Sequence, residues 1–269
     1  MNLFRRAVLV VLLFIALAVL AAPWICRESF ETQHRDAILA MPSAQYWLGT
    51  DELGRDRFAR LLFGARTSLM LAPVAALLSL SIAGMVGLLA GYIGGAVDWA
   101  VSSTTDLMLS VPWLFLLIAA RAALPMNIES SVSLAITFGL LAVLGWAAPA
   151  RIVRASTFKL AHSDCILRAR AAGSGGWRII SRHILPNVVS VLKGQFWILA
   201  PAYLLSEANL GIVGLGVSPP ATSLGTLIRE IENIESVLEH PVKLLPAAIL
   251  IVVAAGCRIV AAQPQENQA

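Results

Sequence analysis

Apolar residues fall into six runs along the chain, 7–25, 69–93, 97–124, 132–150, 188–205 and 241–261, with polar segments between them. Each run approaches the roughly 20 residues that an α-helix needs to cross the hydrocarbon layer of a bilayer. At that depth the backbone polar groups have no water to bond, so the runs predict helices. The expected fold class is all-α, a polytopic membrane bundle of about six helices.

Features inside the runs refine this picture. The first follows Arg5 and Arg6 and reaches Ala21 and Ala22, as a secretory signal would. Its uninterrupted length exceeds the usual signal core and predicts an uncleaved helix. The second holds Pro73, Gly84, Gly87 and Gly91. Membrane helices tolerate such residues, and small ones let neighbouring backbones approach closely. Gly94 and Gly95 make a turn. The third run contains Asp106 and Pro112. An acidic group inside a span is a candidate for the transport path, although Asp106 lies near the start of its run, within reach of water. Lys193 and Gln195 interrupt the fifth run, and Lys193 can extend toward the interface. Lys243 and Arg258, near the two ends of the sixth, fit interfacial anchoring.

Charge sets the expected orientation. Segment 151–182 carries seven basic residues against Asp164, a net +6, whereas 207–239 carries five Glu against Arg229, a net −4. Short basic loops stay in the cytoplasm. The first segment is therefore expected inside and the second outside. Six crossings then place both termini in the cytoplasm, in agreement with Arg5 and Arg6. Segment 27–67 has six basic and six acidic residues and gives no vote.

Composition agrees with a membrane protein: 58% of residues are hydrophobic and 13% charged, with a mean hydropathy of +0.78. The net charge of +4 raises nucleic acid as a partner. The basic residues sit beside apolar runs rather than in a stripe with aromatics, so none is expected. Cys26, Cys165 and Cys257 have neither metal-site nor redox-pair spacing. His34, His162, His183 and His240 are scattered. No phosphate-binding loop of the GxxxxGK[ST] type, HExxH or GxSxG occurs. The chain is expected to have no catalytic centre, metal or cofactor.

The basic segment has internal order. Asp164 can start a helix, the alanines at 169, 171 and 172 favour it, and Gly173 ends it. A second amphipathic stretch carries Trp177, Ile180 and Ile184 on one stripe, with Arg178 and Arg182 off it. Pro186 limits its continuation. On these residues, from Asp164 through Gly173 and from Trp177 through Leu185, Pro186 and Asn187, the segment resembles the EAA loop of ABC importer permeases. The resemblance implies a coupling helix that docks in a cleft of an ATP-binding subunit, carried here by Leu167, Arg168, Ala169, Ala172, Gly173, Trp177, Arg178, Leu185 and Pro186. The family's Glu-Ala-Ala falls on Leu167, Arg168 and Ala169, so its acidic residue is apolar here. Docking is expected to persist with altered electrostatics. An ordinary basic loop against anionic lipid is the plainer alternative.

Two further segments resemble the dipeptide and oligopeptide permease group and, within it, the second permease of the pair. One runs from Leu48 through Gly49, Thr50, Asp51, Gly54, Arg55 and Asp56 to Leu69. Its alternating charges could form an ion-paired turn just outside the membrane, either a solvated structural elbow or an outer gate or contact for a substrate-delivering protein. The other runs from Glu207 through Gly214 and Gly216 to Pro219 and Pro220. It reads as a tight non-helical re-entry, which is tolerated only against protein or a water-filled cavity. Glu207, Gly214, Gly216 and Pro219 are the expected mouth of a pathway.

The resemblance implies the type I ABC importer permease fold in three parts. These are a first helix with an extracytoplasmic segment (1–67), a core of five helices with the coupling loop (68–262), and a short cytoplasmic tail (263–269). It implies a bacterial inner-membrane protein that works with a second permease subunit, two ATP-binding subunits, an extracytoplasmic substrate-binding protein and the surrounding lipid bilayer. The substrate would be a di- or oligopeptide. A permease for nickel or another small solute, an ion-coupled secondary transporter, and a non-transporting scaffold are the rival expectations.

Overall fold

The computed structural model describes residues 3–125, 128–232 and 234–261. The tail expected at 263–269 lies outside the described residues. Among those residues the regular structure is helical, apart from an isolated bridge between Thr50 and Asp56.

Among the described residues, four stretches are long and apolar enough to cross a bilayer: Arg57–Ile93, Ser130–Ala161, Gly176–Ile212 and Pro241–Ala261. The third expected run is broken. Gly95–Ser110 and Trp113–Ala122 meet at 85° and count as a fifth crossing only if the bent pair is one span. The break falls at Val111, which is extended (φ −94°, ψ 130°), the conformation that the ring of a following proline imposes. The first run is the helix Leu3–Leu20 of 18 residues, at the short end of the spanning range. All six apolar runs are thus helical, four as clear crossings, one as the bent pair and one as Leu3–Leu20.

The helices also outrun the apolar runs. Arg57–Ile93 has 37 residues, which at 1.5 Å per residue is about 55 Å against a hydrocarbon layer of about 30 Å. Its first turns, Arg57 onward, belong to what hydropathy marks as a polar segment. Asp56 starts the helix by accepting the Phe58 N–H at 2.9 Å.

The chain divides into two compact units. One comprises Met1–Pro73, Arg121–Phe138 and Pro201–Ala269. In it Leu3–Leu20 lies along Leu245–Ala261, with Leu12 against Gly256 and Arg5 donating to the Ile259 carbonyl at 3.2 Å. Lys243, expected at the interface, is buried, with Glu52 at 3.8 Å.

The other unit comprises Val74–Ala120 and Gly139–Ala200. Here Gly95–Ser110 packs along Ala147–Ala161, and Arg154 Nη2 bonds Asp98 Oδ2 at 2.6 Å. Asp106, the candidate path residue, is exposed and paired with Arg151. Arg57–Ile93 crosses Ala147–Ala161 at Gly87 and Gly91. A Cβ on Gly91 would stand 2.5 Å from the Arg154 carbonyl oxygen, and one on Gly87 would stand 2.6 Å from that of Ala150. The packing role expected of these glycines is therefore a contact of backbone on backbone.

Candidate functional site

Two neighbourhoods, one in each unit, hold the residues that the motifs single out. The first is the hairpin that begins at Asp164. The helix Asp164–Ala171 carries an acidic residue in its first turn and Arg168 and Arg170 in its last, which suits the helix dipole at both ends. It stops at Gly173, whose φ of +79° is the left-handed conformation that only glycine adopts freely. The Ser174 N–H bonds the Ala169 carbonyl at 3.0 Å and the Gly173 N–H bonds that of Arg170 at 2.9 Å, the paired bonds of a Schellman end.

The return limb is Gly176–Ile179, a π-helical turn at Ile180–Ile184, and the helix Leu185–Ile212. Across the π-turn the Leu185 N–H bonds the Ile180 carbonyl, five residues back. The turn absorbs one extra residue and places Ile179 and Ile184, five apart, on the same buried side. They pack with Val153, Ala161, Ile166 and Val188, flanked by Leu88 and Tyr92. This corrects the expected stripe: Trp177 is 81% exposed, and Ile179 takes the place assigned to Ile180. Pro186 does not interrupt the continuous helical stretch Gly176–Ile212 either, because it follows directly on the π-turn, where the hydrogen-bond ladder is already shifted by one residue.

With Ile166 as the anchor, Leu167, Arg168, Ala172, Trp177, Arg178, Leu185 and Pro186 are exposed and Ala169 is half-buried. The hairpin thus presents an apolar and cationic surface on a packed base. Arg170 lies over the Tyr92 ring, 5.8 Å from its centroid, a cation–π contact across 78 residues of sequence that no local pattern signals.

The second neighbourhood centres on Asp51. Its Oδ1 accepts the N–H groups of Leu53 (2.9 Å) and Arg55 (2.8 Å), and its Oδ2 accepts Arg55 Nε and Arg60 Nη1, both at 2.7 Å. Arg60 also reaches Glu230 at 2.7 Å. Thr50 is buried and bonds the Ala40 N–H at 2.8 Å, and its carbonyl accepts Arg57 Nε at 2.7 Å. Gly49 and Gly54 both have positive φ. A Cβ on Gly54 would lie 2.0 Å from the His34 carbonyl oxygen. The alternating charges therefore do form an ion-paired turn. Burial alone would raise the Asp51 pKa, but the backbone N–H of Arg55 and the Arg60 guanidinium outweigh it and hold this carboxyl below its usual value.

The sign of the pH effect follows. A carboxylate with a depressed folded pKa stabilises fully above its unfolded value of about 3.9 and stops doing so as pH falls through the folded value. Asp51→Asn is expected to lower the melting temperature at pH 6, with the gap to the native protein closing below about pH 4. A gap that is constant with pH would count against the staple.

Glu207 does not reach a mouth. It is fully buried, its Oε2 accepting the Ser68 hydroxyl at 3.0 Å and the Gly225 N–H at 3.3 Å, and its Oε1 accepting the Ser223 hydroxyl at 2.6 Å. Sequence reading missed these partners. The signal was available, because a carboxylate in an apolar helix demands donors and Ser68 stands inside the 48–69 motif. Gly211 continues the helix, and a Cβ there would sit 2.3 Å from the backbone of Gly225. Ser223 then caps the helix Leu224–Arg229 in a capping box with Thr226. The non-helical stretch is anchored by Ser218, whose N–H donates to Ser133 Oγ at 3.0 Å and whose carbonyl accepts Ser130 Oγ at 3.1 Å. Gly214, Gly216 and Pro219 line a cavity of about 330 Å³ together with Arg55, Arg60 and Arg229.

Among the described residues no group of three or more His, Cys, Asp or Glu could hold a metal ion.

Comparison with known proteins adds an independent observation. Residues 83–262 match the family of binding-protein-dependent transport system inner membrane components. The chain is 36% identical to the oligopeptide transport system permease protein OppC of Mycobacterium tuberculosis (strain ATCC 25618 / H37Rv), over 92% of this chain and 83% of that one. It is 31% identical to the dipeptide transport system permease protein DppC of Bacillus subtilis (strain 168), over 85% of this chain and 70% of that one. Among solved structures, a chain of the inward-facing MetNI methionine ABC transporter superposes with a TM-score of 0.55 at 23% identity, over 76% of this chain and 96% of that chain.

Proposed function

The chain belongs to the family of binding-protein-dependent transport system inner membrane components, and from that membership we propose that it is a permease subunit of an ATP-driven importer of short peptides. The observation that carries the reading is the packed hairpin 164–184 with its exposed face of Leu167, Arg168, Trp177 and Arg178. A subunit that receives mechanical work needs a protrusion that does not give way. Ile166, Ile179 and Ile184 supply the stiffness, and the exposed residues supply the contact.

In this reading the hairpin lies in the cytoplasm, both termini with it, and docks on one of two ATP-binding subunits. ATP hydrolysis belongs to those subunits. A second permease subunit completes the path, and an extracytoplasmic binding protein delivers the peptide to the face that carries the Asp51 staple. With Leu167 in place of the acidic residue, docking rests on apolar contact and on the cations Arg168 and Arg178. The names of the relatives favour a peptide over nickel as cargo. The pairing of Asp106 with Arg151 gives ion coupling no support.

An exposed tryptophan at an interface typically accounts for about 2 kcal/mol, roughly 30-fold in affinity. Trp177→Ala is expected to weaken co-purification of the ATP-binding subunits by that order and to lower ATP-driven peptide uptake, with the membrane level of the protein unchanged. Unaltered co-purification and uptake would sink the docking role.

A further inference from the structure

We propose that the cavity lined by the 213–222 loop and by Arg55, Arg60 and Arg229 binds a carboxylate, and that Arg229 is the side chain that grips it. The choice of ligand, the terminal carboxylate of a short peptide, rests on the importer reading. The site itself rests on geometry.

The cavity, about 330 Å³, falls in the range of small-ligand pockets. Three arginines line it and, among the described residues, no Asp or Glu does. Two of the three cations are already committed: Arg55 and Arg60 both bond Asp51, and Arg60 bonds Glu230 as well. Arg229 is exposed and has no ion-pair partner among the described residues. Its guanidinium lies against Gly214, where a Cβ would stand 3.3 Å from Nη2 and 3.4 Å from both Cζ and Nη1. Glycine thus lets the planar group lie on the loop backbone. A guanidinium fork matches a carboxylate with two parallel hydrogen bonds. Val217, Pro219 and Pro220 provide apolar wall for the rest of a small ligand.

A neighbouring cavity of about 540 Å³ shares Arg55, Arg60 and Arg229 but is also lined by Asp51, Glu52, Glu230 and Glu232. There Asp51, Glu230 and Glu52 already occupy the cations Arg55, Arg60 and Lys243, so the loop side, where Arg229 faces no carboxylate among the described lining residues, is the place for a new anion. Arg57, which lines that neighbouring cavity, adds to the positive field. It is 9% exposed, and its Nη1 and Nη2 have no hydrogen-bond partner among the described residues.

The test uses the complete transporter with its partner subunits, held in lipid nanodiscs without the substrate-binding protein. It is titrated by calorimetry with alanyl-alanine and with alanyl-alanine amide. The dipeptide is expected to bind about tenfold or more tighter than the amide, the difference that a charge-assisted pair makes. Arg229→Gln is expected to abolish the preference, and Arg229→Lys to keep part of it, since the charge remains and the fork is lost. Equal melting temperatures for native and variant complexes show that folding is not the cause. Equal binding of dipeptide and amide by the native complex overturns the proposal, as does a preference that survives Arg229→Gln. A carboxylate preference that appears only when the binding protein is added also overturns it, by placing the carboxylate on that protein. The two readings fail separately. Absence of ATP-driven peptide uptake by the native complex refutes the importer, whereas normal uptake with an unchanged Arg229→Gln titration refutes the site alone.

Discussion

Glu207→Ala is expected to destabilise the protein by about 3 kcal/mol or more, and Glu207→Gln by about 1 kcal/mol. Truncation removes the acceptor of three donors, the hydroxyls of Ser68 and Ser223 and the N–H of Gly225, in a fully buried place. Each stranded buried donor costs about 1–3 kcal/mol, whereas the net gain from making the bond is smaller. The amide of Gln still offers one acceptor oxygen, and its NH₂ can face a serine hydroxyl, which accepts as well as donates. The melting temperature of the purified complex and the amount of chain in the membrane check this. An Ala variant that melts with the native protein would show that these bonds carry no weight. The wider effect is on the loop, because Glu207 ties the start of Leu224–Arg229 to the helix that carries Ser68. Losing it frees the segment that shapes the arginine-lined cavity.

Gly91→Ala is expected to cost about 1–3 kcal/mol, the usual range for overpacking. In most helices this change stabilises by up to about 1 kcal/mol, so the sign itself is diagnostic. The added carbon would lie 2.5 Å from the Arg154 carbonyl oxygen, 2.8 Å from Thr157 Cβ and 3.0 Å from the Phe158 nitrogen. Two of these are backbone atoms of Ala147–Ala161, which cannot rotate away. The helices must separate, and Arg154 is then drawn off Asp98. Gly139→Ala is the control, since its added carbon meets nothing within 4 Å. Thermal melting of the two variants side by side decides the matter, and equal melting would argue that the crossing can breathe.

How much of this was legible beforehand varies with the physics behind each feature. The membrane helices were plain, because length and apolarity are what a bilayer selects. Their ends were not. Hydropathy marks where lipid begins, so Arg57–Ile93 looked 12 residues shorter than it is. Pro112 was visible in the third run, yet a proline alone does not separate a kink from an 85° reversal. In the hairpin, the Asp164 start and the Gly173 stop followed from local chemistry and stand in the structure. The buried stripe did not follow, because Ile179 and Ile180 are both apolar and a 3.6-residue period selects the wrong one once a π-turn intervenes. Asp51 was legible as part of a charged turn, since its partners lie within nine residues. Glu207 was legible as a buried carboxylate in need of donors, but not which ones, because Ser68 is 139 residues away and Ser223 and Gly225 lie beyond the intervening loop.

The five-residue turn at Ile180–Ile184 makes the reach of the hairpin and its facing two separate quantities. One residue removed within it would let the turn relax to the α-helical repeat, so that Ile179 and Ile184, then four apart, still share the buried side. The same loss elsewhere in the limb shortens it by about 1.5 Å and swings what lies N-terminal by about 100°, carrying Trp177 and Arg178 off their present facing. The π-turn is therefore the place where this limb can change length by one residue without a change of aim.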